Sequence, residues 1–336
     1  MIRRLDFGPV TPLRSQAIYH GLAEAHDRGT PDVIAFCSPA EPYFCVGYHQ
    51  HAADVLDLDL CRRRGWPVLR RKIGGGAVYL DRAQLFYQVI VHRSRAPFAV
   101  DRIYARYLEG PVLALRRLGL DARLLPPNEI EVGGRRIAGT GGGQISEAVV
   151  VVGNVLFDFP DGRMARAWRA PSVPFRRLAR EGLRRYLTTL SRELRDCPSI
   201  EALTGMVAAA YAETLGEPLQ PGSATAREWR AIEAAEAELA SEAFALDGGG
   251  RRDTGLKIAR GVYVFEGRAA RADVRVSLRV RDGVIDGVAV RGSDPRRACR
   301  LVGWPIAALG RGSPHGNPAD IVGDLLAAGG PASGIP

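Results

Sequence analysis

The sequence predicts an α+β protein, on three observations. Helix-patterned and strand-patterned segments alternate through residues 1–246. A glycine-rich stretch at 247–255, Asp247-Gly248-Gly249-Gly250-Arg251-Arg252-Asp253-Thr254-Gly255, reads as a flexible linker. Beyond it, in residues 256–336, the apolar pattern switches to a period of two over three successive runs. The 336 residues suffice for one large domain and a smaller one.

Composition narrows the class. Hydrophobic residues make up 46% and charged residues 25%, ordinary for a globular protein. No apolar run approaches the ~20 residues of a membrane span, and Met1 to Asp6 lacks the apolar core of a secretory signal. The five cysteines (Cys37, Cys45, Cys61, Cys197, Cys299) are odd in number and form no C-x-x-C pair. That argues against a disulfide framework or zinc site and for the cytoplasm. Net charge is +9, almost all from Arg, since only Lys72 and Lys257 are lysines. The arginines are spread along the chain, which suits an anionic substrate or an acidic partner better than nucleic acid.

Taken in order, Thr11-Pro12 reads as an N-cap and first-turn proline of a helix with Ile18, Leu22 and Ala25 on one face and Gly29 after it. Val33–Cys37 and Pro42–Gly47 read as strands, and 54–64 as a short helix. His49 and His51 read as a polar loop, because no third ligand has metal-site spacing. Ala77–Tyr79 and Leu85–Val91 read as paired strands, the second buried on both faces. Residues 101–119 carry Ile103, Tyr107, Val112 and Leu115 on one helix face. Asn128–Val132, the two-residue turn Gly133-Gly134 and Arg135 onward read as a hairpin, and 149–158 as a buried strand pair around a turn. Helices fill 176–245, with Ser199 a good N-cap. Beyond the linker, 262–267, 273–280 and 283–292 alternate as antiparallel strands, and 296–309 follows as a helix interrupted at Pro305.

Two stretches carry chemistry. In Arg70-Arg71-Lys72-Ile73-Gly74-Gly75-Gly76-Ala77-Val78-Tyr79, cations precede three glycines and a strand. Glycine permits φ > 0 and close backbone approach, and successive N–H groups in such a turn form an anion-binding concavity. A hairpin turn beside a solvated basic run is the plainer alternative. No Gly-Lys-Ser/Thr and no G-x-G-x-x-G spacing is present, which excludes the common phosphate-loop and dinucleotide templates. The second stretch is the hairpin Asn128 to Thr140.

Residues 70–81 resemble the lipoate–protein ligase family of the biotin/lipoyl ligase superfamily, whose run is Arg-Arg-x-Ser-Gly-Gly-Gly-Ala-Val-Tyr/Phe-His-Asp. Ile73 stands for the Ser and Leu80 for the His. Gly47 and Gln50 match a Gly-x-x-Gln beside the acyl pocket. Asn128, Ile137 and Gly139 match the hairpin Asn-Asp-(strand)-Gly-Lys-Lys-Ile-Ser-Gly-Ser, but Arg136 replaces the family's catalytic Lys. Gly141–Gln144 stands for the small residues of a loop, and Val152 for a His.

The resemblance implies a mixed β-sheet flanked by helices and a small α+β C-terminal accessory domain. It implies ATP and Mg²⁺, lipoate as substrate, and transfer through an acyl-adenylate to a lysine of an acidic lipoyl-domain carrier. Arg136 takes the catalytic place. Arg70, Arg71, Lys72, Gly74, Gly75, Gly76, Ala77, Val78, Tyr79, Asp81, Gln84, Asn128, Glu129, Gly139 and Thr140 take the binding places, Gln84 in that of an adenine-contacting Asn. Arg70 and Arg71 would neutralise phosphate charge, and Lys72 is a second candidate for the missing lysine. No metal ligand is assigned. Two alternatives stay open: a degenerate member that only binds lipoate or its carrier, and a Cys-dependent octanoyl or lipoyl transferase, against which 121–131 and 139–154 contain no Cys.

Overall fold

An eight-stranded sheet in the order β11-β1-β2-β6-β10-β9-β8-β7 frames the larger part of the molecule. The structure is a computed structural model describing residues 1–241, 244–245, 255–270, 273–309 and 318–327. Its contacts divide into two units, residues 1–159 with 188–251, and residues 160–187 with 252–336.

The first unit runs β1 (Ile2–Val10), α1 (Pro12–Glu24), β2 (Asp32–Pro39), β3 (Tyr43–Val46), α2 (Ala52–Val55), α3 (Leu58–Arg63), β4 (Val68–Arg70), β5 (Val78–Leu80), β6 (Gln84–His92), α4 (Val100–Arg117), β7 (Ala122–Leu125), β8 (Glu129–Val132), β9 (Arg135–Ile145) and β10 (Ala148–Leu156). The second unit interposes α5 (Asp161–Ala167) and α6 (Val173–Tyr186). The first unit resumes with α7 (Leu190–Glu193), α8 (Ile200–Leu215), β11 (Leu219–Gly222) and α9 (Ala226–Leu239).

The large sheet is mixed: β1 runs parallel to β2 and β11, and the other pairs are antiparallel. All nine residues of β6 are buried. Leu85, Tyr87, Val89 and Val91 join a core with α4 and α8, while Phe86 and Ile90 join one with α1 and α9. A strand covered by helices on both faces needs a continuous apolar run, as read from the sequence. Thr11 Oγ1 accepts from Arg14 N, so the expected cap forms. Where α1 crosses α9, a Cβ on Gly21 would lie 2.4 Å from the Ile232 backbone. Among the described residues no helix is long and apolar enough to cross a membrane.

The second unit is an antiparallel sheet of β12 (Leu256–Ala259), β13 (Val262–Arg268), β14 (Arg275–Arg281) and β15 (Val284–Arg291), with α10 (Pro295–Cys299) and α11 (Pro318–Ala327). α6 buries Phe175, Leu178, Leu183 and Tyr186, and the Tyr186 hydroxyl donates to Asp286 on β15. Hence 160–187, which the sequence boundaries keep with residues 1–246, make their contacts within the second unit. An amphipathic stripe states that a helix has a partner surface, not which one.

Other differences are local. Residues 149–156 lie in one strand, β10, rather than a strand pair, and Phe157 and Asp158 follow its end. The Gly141–Gln144 segment is strand β9, not a loop. Residues 296–309 hold α10 and a short 3₁₀ turn at Ile306–Leu309. β1 and the edge strand β11 beside it, both with polar content, have no counterpart in the sequence reading. Apart from Gly255, the linker at 247–255 lies outside the described residues.

Candidate functional site

The glycine turn joins two strands held by a third. In a three-stranded sheet, β3 pairs in parallel with β4 and antiparallel with β5. Arg71, buried beside the turn, draws its carbonyls inward. Nε and Nη2 donate to Gly74 O at 3.2 and 2.9 Å, Nη2 also to Gly76 O at 2.9 Å, and Nη1 to Cys45 O at 3.3 Å. Gly75 has φ +103°, and a Cβ there would meet Arg71 Nη2 at 2.7 Å. A Cβ on Gly47 would lie 1.9 Å from Gly75 O, so backbone touches backbone. With the carbonyls drawn to Arg71, the amides of Gly74, Gly75, Gly76 and Ala77 find no acceptor among the described residues. Four donors without an acceptor among the described residues therefore lie together on a half-exposed turn, the arrangement an anion-binding concavity requires.

The flanking cations are placed differently from expectation. Arg70 is 1% exposed. Its Nε donates to Phe244 O at 2.7 Å, and its Nη1 to Tyr48 O and Gln50 O at 2.8 and 2.7 Å. Lys72 Nζ lies 2.6 Å from Glu238 and 3.8 Å from Glu24, and its N–H donates to His20 Nε2 at 3.2 Å. In this structure, then, Arg70 and Arg71 neutralise carbonyl dipoles rather than standing open to phosphate, and Lys72 is engaged by α9. Loop carbonyls left over by a glycine turn need donors, and the nearest guanidinium supplies them. Gln50 Oε1 accepts from Gly47 N at 3.3 Å, closing the preceding loop.

Downstream of the turn, the Tyr79 ring packs edge-on against Phe44 and Phe159. Asp81 Oδ1 accepts from Ala83 N at 3.0 Å and shapes the bend into β6. Gln84, read as an adenine contact, is fully buried: Nε2 donates to Tyr79 O and Oε1 accepts from Asn154 Nδ2. Asn154 Oδ1 would lie 2.4 Å from a Cβ on Gly139, so the Gly is required beside this pair.

The hairpin holds the other cation. Gly133 and Gly134 have φ +56° and +72°, as a two-residue primed turn needs. Asn128 O accepts from Thr140 Oγ1. Arg135 is paired with Glu193 at 2.6 Å. Among the described residues Arg136 has a loose ion pair, Nη1 to Glu129 Oε2 at 3.9 Å, and its buried Nε has no partner. Its guanidinium is thus positioned yet largely uncommitted.

Ile73, standing where the family has Ser, brings the two motifs together. Its side chain lies across β9, 3.2 Å from the Cβ position of Gly141 and 3.5 Å from that of Gly143. Tyr104 of α4 covers the alternate residue, its hydroxyl 3.1 Å from the Cβ position of Gly142, and hydrogen-bonds the Asn128 side chain. Sequence reasoning missed Tyr104; its place one turn before Tyr107 was the available signal. Tyr104 also lines a groove of about 990 Å³ with His92, Phe98 and Val151, to which no residue of 70–81 contributes.

Sulfur at this geometry is buried: Cys45 lies on β3 directly beside Arg71, with its side chain inside the core. Cys37, Cys45 and Cys61 are buried, and burial pushes all three thiols up, Cys61 to about 11. The exposed Cys197 and Cys299 lie before α8 and at the end of α10. Among the described residues no group of three or more His, Cys, Asp or Glu could hold a metal ion.

Comparison with known proteins gives the same family. Octanoyltransferase LipM of Kyrpidia tusciae is 28% identical over 252 residues, covering 67% of this chain and 91% of that protein. The bipartite lipoate protein ligase of Thermoplasma acidophilum, solved in a study with its E2 lipoyl domain, superposes with TM-score 0.68 at 22% identity, over 75% of this chain and 99% of that one. A lipoate-protein ligase A bound with ATP superposes with TM-score 0.63 at 21% identity, over 73% and 98%. The model of the lipoyl protein ligase A/B catalytic domain matches residues 11–212, and the chain belongs to that family.

Proposed function

We propose that the protein is an ATP-dependent lipoate–protein ligase. The carboxylate of lipoate, or of a similar short acyl acid, attacks the α-phosphate of ATP and pyrophosphate leaves. The acyl-adenylate then passes its acyl group to the ε-amino group of a lysine on a lipoyl-domain carrier, releasing AMP.

Two features support the reading: the amides of Gly74–Ala77, without an acceptor among the described residues, and the largely uncommitted guanidinium of Arg136. Both suit an anion whose charge grows as a phosphate bond forms and breaks, and fixed donors of this kind are effective because they need no reorganisation. A buried Nε without a partner is the polar group such an anion would satisfy. Arg136 serves by electrostatics, through the planar fork of donors that a guanidinium presents to a phosphate or carboxylate. Asn128, Glu129, Gly139 and Thr140 hold the hairpin; Arg70, Arg71 and Tyr79 hold the turn. Mg²⁺ would be carried largely by the triphosphate oxygens, as is usual for this ion. A net charge of +9 favours encounter with an acidic carrier, and five free cysteines suit the cytoplasm.

Similarity to an octanoyltransferase favours a second reading, acyl transfer from a carrier thioester through a Cys. The buried thiols with raised pKa values, and the lack of Cys in 121–131 and 139–154, weigh against it. The test is mass spectrometry of an apo lipoyl-domain protein incubated with the enzyme. A gain of one lipoyl mass that requires ATP and Mg²⁺ establishes the ligase. Octanoyl transfer from an octanoyl-carrier without ATP establishes the transferase instead. No gain, and no pyrophosphate released with lipoate, octanoate or biotin, leaves a protein that binds without turnover.

A further inference from the structure

The glycine turn rests on a part of the chain that bears none of its sequence signature. Lys72 is the last residue before Ile73-Gly74-Gly75-Gly76. Its N–H donates to His20 of α1 at 3.2 Å, and its ammonium lies 2.6 Å from Glu238 in the last turn of α9. Arg70, two residues earlier, donates to the carbonyl of Phe244, whose side chain packs on the same core as α1 and α9. The two helices are locked to one another and to the sheet. Gly21 allows backbone contact with Ile232, and Arg3–Glu228 and Arg14–Glu236 pair α9 with β1 and α1. The base of the turn is therefore fastened at two consecutive points, by backbone to α1 and by side chain to α9.

We propose that the C-terminal end of α9 is a support of the glycine turn, and that Glu238 and Lys72 are positioning residues whose ion pair holds the turn's amides in their ligand-ready arrangement. The proposal rests on the ligase reading only for the identity of the ligand. The physical reason is entropic. Three glycines in succession have little preference for one backbone shape, so the shape must be imposed from outside. Arg71 imposes it from within the loop, and the Lys72–Glu238 pair fixes where the loop begins. Loss of that pair leaves the Lys72 ammonium, among the described residues, with Glu24 at 3.8 Å. The amides then sample more arrangements, and ligand binding weakens by the fraction of time the correct one is populated.

The experiment uses the full chain with Lys72→Glu, Glu238→Lys and the double charge swap. Hydrogen exchange without ligand reads the amides that the turn protects: Tyr48, which donates to Ile73 O, and Arg71, which donates to Val46 O. Each single change is expected to speed their exchange by about tenfold, and the swap to restore it to within about twofold. In turnover, the single changes raise KM for ATP or lipoate several-fold with kcat nearly constant, and the swap recovers KM. Unchanged exchange in the single variants overturns the proposal. So does a swap that fails to restore exchange, and so does one that restores exchange but not KM, since Lys72 would then act on the ligand through its own charge. Glu238→Gln removes the charge at constant size and answers the same question should a reversal unfold the chain. If exchange responds as expected but the wild type transfers no acyl group, the support stands and the ligase reading falls.

Discussion

In the glycine turn the cations face into the protein and the backbone amides stay open. In the hairpin the backbone is laddered on both sides and a cation stays open. Arg70 and Arg71 between them take up carbonyls of Tyr48, Gln50, Phe244, Gly74, Gly76 and Cys45. Among the described residues Arg136 pairs with one carboxylate, at 3.9 Å. The difference follows from the backbone each motif uses. A glycine turn leaves carbonyls without strand partners, and a buried unpaired carbonyl is costly enough to capture the nearest guanidinium. A hairpin satisfies its own carbonyls, as β8 and β10 do for β9, and so releases its side chains for other work. Two basic motifs that look alike in sequence thus divide into cations committed to carbonyls and a cation left largely uncommitted.

The largest effect should come from breaking the framework. Arg70→Ala strips donors from the carbonyls of Gly47, Tyr48, Gln50 and Phe244 and is expected to lower stability by more than about 3 kcal/mol in urea unfolding. Arg70→Lys recovers little, because one ammonium cannot span carbonyls served by two arms of a guanidinium. Gly47→Ala, with a Cβ 1.9 Å from Gly75 O, belongs in the same class, with a cost of about 3 kcal/mol or more. A melting curve unchanged by Arg70→Ala would show that the carbonyls find water, and the contrast drawn between the two motifs would collapse.

The open cation should behave in the reverse way. Arg136→Ala is expected to leave stability within about 1 kcal/mol, because its ion pair is loose and partly exposed. It should slow acyl-adenylate formation by about 10²–10³-fold, the range for removing one charge-stabilising donor. Arg136→Lys should retain most of the rate, measured by pyrophosphate exchange. An Arg136→Ala enzyme at full rate would remove this residue from the reaction. A rate loss matched by an equal loss of stability would make it framework like Arg70.

This division also marks how much was legible in sequence. The strand–turn–strand order, the two-sided burial of β6 and the hairpin follow from residue type and period, and the structure keeps them. A turn at Gly74-Gly75-Gly76 was legible because successive glycines admit the positive φ that Gly75 adopts. What could not be read was direction. Nothing in Arg70-Arg71-Lys72 says that three adjacent cations point to three different places: the loop carbonyls, the turn's interior and α9. Nor does Gln84 announce its burial against Asn154, seventy residues on, or Tyr104 its contact across β9. The partner in each case lies far along the chain, and side-chain direction depends on where that partner packs.

The smallest effect sharpens the same point through pH. His20 is fully buried on α1 and accepts the Lys72 N–H. Burial first, then the nearby Lys72 and Arg71 charges, hold its pKa well below the ordinary histidine value. Near pH 7 the ring is neutral in both folded and unfolded chains. As pH falls below about 6.5, the unfolded chain takes up a proton that the folded site refuses, so unfolding gains. Stability due to this group is therefore complete above about pH 7 and is lost on acidification, by about 1 kcal/mol between pH 7 and 5.5. His20→Gln keeps an acceptor for Lys72 but cannot titrate. Its urea midpoint should fall less over that range than the wild type's, whatever the other histidines contribute to both. Equal falls would mean that protonated His20 is tolerated beneath the turn. In that case the base of the turn would be looser than the Lys72 contacts make it, and committed and uncommitted cations would be less sharply separated than the two motifs suggest.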